Sequence, residues 1–284
     1  MIKNNDSKDS VLAIVVSYND PIALAETIKS IFHQVGHVVI IDNNSSGANK
    51  SEIGKLEAIL DVEVIYLAEN MGIGYALNIG LDIAVKKGFQ WLLTMDQDST
   101  ADPLMVSLLI SASLANRDAS IVFPTTNLAH PCNHIERKDY TITSGNLVVV
   151  QYLSELGGYN EHLFIDGVDF DISLRMRNAG FSLLRVNSAL LKHRLGEKES
   201  VKIIFFEISY TRHPPIRRYY IFRNHLYLTK MYFFKNFLFV FKKNIFMLIY
   251  FGQILIFEKN RWGNLTMIYK GLFDFIKNKQ GPYL

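Results

Sequence analysis

Asp96-Gln97-Asp98 sets two carboxylates two residues apart, just past the apolar run Trp91 to Met95. Hard oxygen donors at such a place suit Mg²⁺ or Mn²⁺, which bridge the phosphates of a nucleotide and neutralise charge on a leaving group. The same spacing also occurs as a solvated turn with an aspartate cap, and the pair alone leaves both readings open. Asn70-Met71-Gly72-Ile73-Gly74 opens a helical pattern. Backbone N–H groups at a helix start attract phosphate, although an ordinary strand-to-helix turn has the same composition. Asp42 ends another apolar run, where it either accepts from the N–H of a nucleobase or caps the following loop.

These groups need elements to carry them. Val11 to Tyr18 is a continuous, β-branched apolar run, as expected of a strand covered on both faces. Asp20-Pro21 then reads as an N-cap with proline in the first turn, followed by Leu24, Ile28, Ile31 and Phe32 at helical spacing. Val38 to Asp42 and Val62 to Leu67 are the next strands. A helix follows with Leu77, Leu81, Ala84 and Val85 on one face and Gly88 as its stop, and Trp91 to Met95 is a fourth strand. Repeated strand-helix units imply a mostly parallel sheet with helices on both faces, which binds ligands at the carboxyl ends of its strands. Tyr18-Asn19, Asp42-Asn43-Asn44, the Asn70 to Gly74 loop and Asp96 to Asp98 all fall there. The Gly-x-Gly-x-x-Gly fingerprint is missing after the first strand, and Leu77 stands in its third place later, which disfavours a nicotinamide dehydrogenase.

The chain has 284 residues, 49% of them apolar and 20% charged, enough for a sizeable core. Its net charge of +3 conceals a division. Residues 1–200 carry 16 Lys and Arg against 24 Asp and Glu, whereas residues 201–284 carry 14 against 3. The later segment also holds 22 of the 35 aromatic residues. Residues 1–205 are expected to form the catalytic domain and 206–284 a helical, aromatic and basic appendage. Cys132 is the single cysteine, which excludes an intramolecular disulfide framework and a cysteine-rich zinc site and suits a reducing compartment. The polar start and the absence of a small-residue cleavage site after Val16 read as no signal peptide. In the apolar tail the longest charge-free stretch, Asn244 to Phe257, falls short of the ~20 residues that span a bilayer, so no transmembrane helix is expected.

In order, Val15-Val16-Ser17-Tyr18-Asn19, Asp42-Asn43-Asn44-Ser45, Asn70-x-Gly72-x-Gly74-x-Ala76-x-Asn78-x-Gly80 and Asp96-Gln97-Asp98-Ser99 resemble the nucleotide-sugar-binding half of family-2 inverting glycosyltransferases. Downstream, Ser144-Gly145-Asn146, Gly157-Gly158-Tyr159-x-Glu161-x-Leu163-Phe164 and Val168-Asp169-Phe170-Asp171-Ile172-Ser173-Leu174-Arg175 resemble the family's acceptor segment and its E-D-x-D-L-x-x-R element. The run Arg217-Arg218-Tyr219-Tyr220-x-x-Arg223-Asn224 is most similar to the bacterial rhamnosyltransferase subgroup. Together these cover roughly residues 10 to 225. Val168 replaces the acidic residue that usually precedes the family's catalytic aspartate, and Asp166 offers a second carboxylate nearby.

The resemblance implies a GT-A fold, an α/β Rossmann-like sheet with flanking helices, and transfer with inversion from a nucleotide sugar. It implies Asp169 as general base, with Asp166 the competitor for that role. Asp98, Asp96 and His193 would hold Mg²⁺ or Mn²⁺. Tyr18, Asn19, Asp42, Asn70, Gly72, Asn78 and Asp96 would line the donor, while Arg217, Arg218 and Arg223 would clamp its diphosphate, since guanidinium forks match phosphate oxygens. Gly158, Asp166 and Asp171 would face the acceptor. By subgroup resemblance the donor is dTDP-rhamnose and the acceptor a lipid-linked glycan or polysaccharide of the cell surface, handled at the inner face of the bacterial cytoplasmic membrane.

Read as one helix, the tail sets Lys235, Lys242 and Gln253 on one side among aromatic and aliphatic residues, which suits an interfacial helix pair on anionic headgroups. Packing on the body or in a homo-oligomer is the alternative. Nucleic acid is not expected, because aliphatics dilute the basic residues and no recognition module is present. Two other functions stay open: a haloacid-dehalogenase-type phosphatase, which Asp96-x-Asp98-x-Thr100 resembles with Asp96 as nucleophile, and a non-enzymatic peripheral membrane module.

Overall fold

The structure, a computed structural model, describes residues 7–60, 62–126, 134–193, 198–203, 206–211 and 213–283. Cys132 and the first six residues lie outside the described residues. The chain divides into two compact units, Met1–Glu161 with Val168–Arg194 and His162–Gly167 with Leu195–Leu284.

In the first unit, β1 (Val11–Ser17) is buried along nearly its whole length. α1 (Pro21–Ile31) starts on Asp20, whose carboxylate accepts from the Ala23 N–H at 3.1 Å, with Pro21 in the first turn. β2 (His37–Asp42), α2 (Gly47–Leu60), β3 (Glu63–Tyr66) and α3 (Ile73–Lys87) follow. α3 ends where the Gly88 N–H donates to the carbonyls of Ala84 and Val85. β4 (Trp91–Asp96) then runs parallel to β1 on the side opposite β2, and β3 runs parallel to β2. The expected strand-helix alternation therefore forms the parallel part of the sheet. Each central strand is an uninterrupted apolar run because helices cover both faces.

The remaining strands complete a mixed sheet. They are β5 (Ser99–Ala101), β6 (Ala119–Thr126), β7 (Ile135–Arg137), β8 (Asn146–Val149) and β9 (Ser182–His193), with α4 (Met105–Ala115), α5 (Val150–Glu155) and α6 (Val168–Asn178) between them. The sheet order is β3-β2-β1-β4-β8-β6-β9-β5, with β7 paired to β9. β8 lies antiparallel between β4 and β6, while β6 and β9 are parallel. β5 pairs antiparallel with the far end of β9 and sets Ser99 opposite His193. That pairing brings the residue after the D-x-D motif to a histidine ninety-four positions later.

The second unit holds a hairpin of β10 (Lys198–Ile203) and β11 (Phe206–Thr211), then α7 (Pro215–Tyr232), α8 (Phe237–Phe257) and α9 (Arg261–Ile276). Two expectations are corrected here. The basic tail is not one helix, because the chain turns between Tyr232 and Phe237 and leaves Lys235 outside α8. By length and composition α8 does qualify to cross a membrane: it has 21 residues, mean hydropathy 1.5, and only 11% of its apolar window is buried. Counting charge-free residues missed it because Lys242 and Lys243 fall inside the helix without cancelling its apolar average.

Candidate active site

The carboxyl ends of β1, β2 and β4 and the loop before α3 are stitched together by side chains. The Tyr18 N–H donates to Gln97 Oε1 at 2.7 Å, and Gln97 Nε2 donates back to the Tyr18 carbonyl at 3.0 Å. Thr27 Oγ1 donates to the Gln97 carbonyl, which ties the D-x-D turn to α1. Asn19, held at φ 57°, accepts from the Ser46 N–H and from Asn49 Nδ2, while its own N–H donates to Ser45 Oγ. The Met71 N–H donates to Asn43 Oδ1 and the Gly72 N–H to Asn70 Oδ1. Tyr18 and Asn19 are exposed at this rim. Asp42 is not: it is fully buried and accepts from the Ser45 N–H and hydroxyl. It caps the loop that positions Asn19, in place of the expected direct contact with a nucleobase.

Asp96, Asp98 and His193 come together, with one ligand atom from each lying within 4.8 Å of the others. Each is half-buried. A relay of hydroxyls stands behind them. The Asp96 N–H donates to Ser144 Oγ at 3.1 Å, Ser144 Oγ donates to Ser99 Oγ at 2.7 Å, and Ser99 Oγ shares a hydrogen bond with His193 Nδ1 at 2.7 Å. Such a partner fixes the orientation of a ligating imidazole. A cavity of about 230 Å³ adjoins the cluster, lined by Ala23, Glu26, Asp98, Thr100, Lys192 and His193.

Asp169 sits in the first turn of α6, half-buried, its carboxylate accepting from the Phe170 N–H at 2.9 Å. The Ser173 hydroxyl donates to the Asp169 carbonyl, and the Thr141 N–H donates to Ser173 Oγ in a buried contact. Thr141 Oγ1 in turn donates to Asn146 Oδ1 on β8, opposite Thr94 of β4. α6 is thereby anchored to the strand that carries the D-x-D motif. Asp171 is fully buried and accepts from Arg175 Nε at 2.8 Å. The other arms of Arg175 donate to the carbonyls of Leu156 (2.9 Å) and Gly158 (2.7 Å). Asn78, from α3, grips the same turn: its Oδ1 accepts from the Tyr159 N–H at 2.7 Å, and its Nδ2 donates to the Tyr159 carbonyl and to Glu161 Oε1. Asn78 and Asp171 thus face backbone and guanidinium inside the protein, not donor and acceptor.

In the second unit Arg217 forms a fork with Asp166, at 3.0 to 3.3 Å. Arg218 and Arg223 have no exposed surface. Arg218 pairs with Glu258 and lies over the Tyr250 ring. Arg223 donates to Tyr219 Oη, to the Gly281 carbonyl and to Asn224 Oδ1, and lies over the rings of Tyr219 and Tyr220. Burial on this scale is incompatible with the expected clamp on a soluble diphosphate, whereas the Arg217 side chain is 43% exposed. The neighbouring Asn224 amide donates to the carbonyls of Leu163, Ile165 and Asp166. It holds a segment in which Phe164 and Asp166 both adopt positive φ, a strained backbone that persists only where the surroundings over-determine it.

The profile of glycosyl transferase family 2 matches residues 12–157, just over half the chain. The chain belongs to that family. Family membership replaces the phosphatase and non-enzymatic readings, because the match runs through the D-x-D motif and all the rim loops, and it makes the protein a glycosyltransferase. The chain is 29% identical over 276 residues, 89% of its own length and 90% of the relative's, to the dTDP-rhamnosyl transferase RfbF of Shigella flexneri. It is 23% identical to the galactofuranosyltransferase GlfT1 of Mycobacterium tuberculosis, over 78% of this chain and 82% of that one. Among solved structures, GalNAc-T7 with UDP, GalNAc and Mn²⁺ superposes with a TM-score of 0.57 at 17% identity, over 64% of this chain and 43% of that one. Residues 1–349 of Staphylococcus aureus TarS superpose at 0.54 and 13% identity, over 95% and 80%. Both likenesses concern the GT-A-like fold. Within this glycosyltransferase, sequence reasoning missed Gln97, Ser99, Ser144, Glu26 and Lys192. Gln97, Ser99 and Ser144 lie within the quoted motifs, where the spacing gives no role to them; Glu26 on α1 and Lys192 on β9 carry no sequence signal and meet the site through the fold.

Proposed function

We propose that the protein transfers L-rhamnose from dTDP-rhamnose, with inversion, to a hydroxyl of a lipid-linked glycan or polysaccharide in cell-surface glycan synthesis. The observation that carries this reading is the convergence of Asp96, Asp98 and His193 at the sheet rim. Similarity to the Shigella flexneri dTDP-rhamnosyl transferase points to the sugar and base.

Two carboxylates and an imidazole form an O,O,N donor set that fits Mn²⁺, or Mg²⁺ with waters completing its shell. Asp96, Asp98 and His193 would hold the ion, which would supply positive charge to offset the negative charge that develops on the leaving diphosphate. Tyr18, Asn19, Asn70 and Gly72 would line the donor, and Arg217 would serve its diphosphate. Asp169 takes the proton of the acceptor hydroxyl as that oxygen bonds to the anomeric carbon. On the opposite face the bond from that carbon to the phosphate oxygen breaks, and its electron pair leaves on dTDP. Gly158 and Asp166 would border the acceptor.

The proposed setting is the cytoplasmic face of an anionic membrane. Phe234 and Trp262 are 93% and 83% exposed, and α8 presents Leu238, Phe246 and Leu248 beside Lys242. Aromatic and basic residues together suit a headgroup layer. Flotation with phosphatidylglycerol vesicles at low salt is expected to carry the protein upward; failure to float would favour a homo-oligomer through the same face.

A panel of nucleotide sugars with Mn²⁺, read by thermal unfolding, tests the donor. A ligand at a hundred times its dissociation constant stabilises by about 2.7 kcal/mol, so dTDP-rhamnose is expected to raise Tm by several degrees. A larger shift from UDP-galactofuranose, or none from dTDP-rhamnose, would overturn the assignment.

A further inference from the structure

We propose that Asn78, Arg175 and Asp171 form a single bracket that fixes the helix bearing Asp169 against the helix that leaves the donor loop, and that all three are positioning residues. The bracket has three parts. α3 starts immediately after the Asn70–Gly72 loop and carries Asn78. α6 carries Asp169 and Asp171 in its first turn and Arg175 in its last. Between them the turn from Leu156 to Glu161 is gripped from both sides, by Arg175 on two of its carbonyls and by Asn78 on the Tyr159 backbone and the Glu161 carboxylate.

Close packing leaves this turn little freedom. Gly158 adopts φ +74°, and a Cβ there would sit 2.5 Å from Asn78 Oδ1. A Cβ on Gly74 would sit 2.9 Å from the Asn160 carbonyl oxygen. Of the glycines in the Asn70 to Gly80 pattern, Gly74 therefore admits this turn to α3. Tyr159 is buried beneath it. Asp171 holds the Arg175 fork in place from a position without solvent access. Displacing a reacting group by about 1 Å can lower a rate on the order of a hundredfold, so a rigid link between donor loop and base has kinetic value that neither helix supplies alone.

The inference rests on Asp169 being the base, and the test separates the two. Asn78→Asp keeps an acceptor for the Tyr159 N–H but opposes the Tyr159 carbonyl and the Glu161 carboxylate. Adding Glu161→Gln restores a donor opposite the new carboxylate. Arg175→Lys keeps the charge beside Asp171 and removes the fork. Release of dTDP from dTDP-rhamnose would be measured in each variant, with dTDP affinity in Mn²⁺ measured by calorimetry.

The single variants are expected to lose at least tenfold in kcat while donor KM and dTDP affinity stay within twofold. The double variant is expected to recover to within threefold of wild type. Turnover within twofold in both single variants, or nucleotide affinity falling in step with kcat, would overturn the bracket. So would a double variant that melts like wild type yet stays slow. If wild type does not turn over dTDP-rhamnose, the donor reading fails and the same ratios are taken on whichever panel sugar it does use. If Asp169→Asn retains turnover, the base assignment fails and the bracket with it.

Discussion

Replacing Arg175 by methionine removes the cation facing a carboxylate that has no exposed surface. Breaking a buried pair from one side costs about 3 to 5 kcal/mol, because the remaining charge cannot be rehydrated. The hydrogen bonds to the Leu156 and Gly158 carbonyls add about 1 kcal/mol each where water does not replace them. A loss of about 5 to 7 kcal/mol is large against the 5 to 15 kcal/mol typical of a domain. Trp91, 1% exposed in the first unit, reports its unfolding, and Trp262→Phe removes the tryptophan of the second unit from the signal. With a urea slope of about 2 kcal/mol/M, the midpoint is expected to fall by about 2.5 to 3.5 M. Asp171→Leu added to Arg175→Met replaces the pair by apolar groups and is expected to recover most of the loss. A midpoint shift below about 0.5 M in the single variant, or a double variant less stable than the single one, would refute this account of α6.

Asp98→Ala is expected to abolish the gain in dTDP affinity that Mn²⁺ confers, measured by calorimetry; an unchanged gain would remove Asp98 from the metal site. Asp169→Asn is expected to leave dTDP affinity intact while turnover disappears, and substantial residual turnover would shift the base role to Asp166. Gly80→Ala drives a methyl into Ile14 and should destabilise the first unit by about 1 to 3 kcal/mol in urea unfolding, with Ile14→Val recovering part of it. Burial first, and then the charges of Arg217 and Arg218, hold the His213 imidazole at about 4 against an ordinary 6.5. The unfolded chain therefore binds the extra proton between those values, and stability present above pH 6.5 is lost as pH falls toward 4. Unfolding midpoints from pH 7 to 4 should fall less steeply in His213→Asn than in wild type; equal slopes would dismiss the effect.

The strand-helix alternation from Val11 to Asp96 was legible because a parallel strand buried on both faces is written as an apolar run, and because Asp20 and Gly88 mark helix ends by local hydrogen bonding. β5, β8 and the long β9 were not, since their antiparallel pairings join segments far apart in sequence and leave no periodic trace. Asp96, Asp98 and His193 were named together from resemblance, and the β5–β9 register supplies the physical reason they meet. Arg218 and Arg223 depart from the expected clamp because charge in a sequence signals surface by default, yet both side chains are fully buried. What buries them is Glu258, forty residues after Arg218, and the Tyr219 and Tyr220 rings packed against Arg223.

Motif spacing identifies which residues belong to a site but not which way their atoms face, and polar burial decides that second question. A buried polar group needs an internal partner. For Asp42, Asp171, Arg218 and Arg223 that partner is Ser45, Arg175, Glu258 or the Gly281 carbonyl, and the half-buried Asn78 is likewise committed to the Tyr159 backbone. Such groups can shape a substrate site only by holding other groups still. Tyr18 and Asn19 at the rim, with Asp96, Asp98, His193 and Asp169, keep access to solvent and so can exchange water for ligand. The family pattern therefore contains two sets of residues that sequence alone presents as one. Substitutions in the exposed set should alter affinity or chemistry with little change in stability, whereas substitutions in the buried set should alter stability and, for the bracket between α3 and α6, the rate.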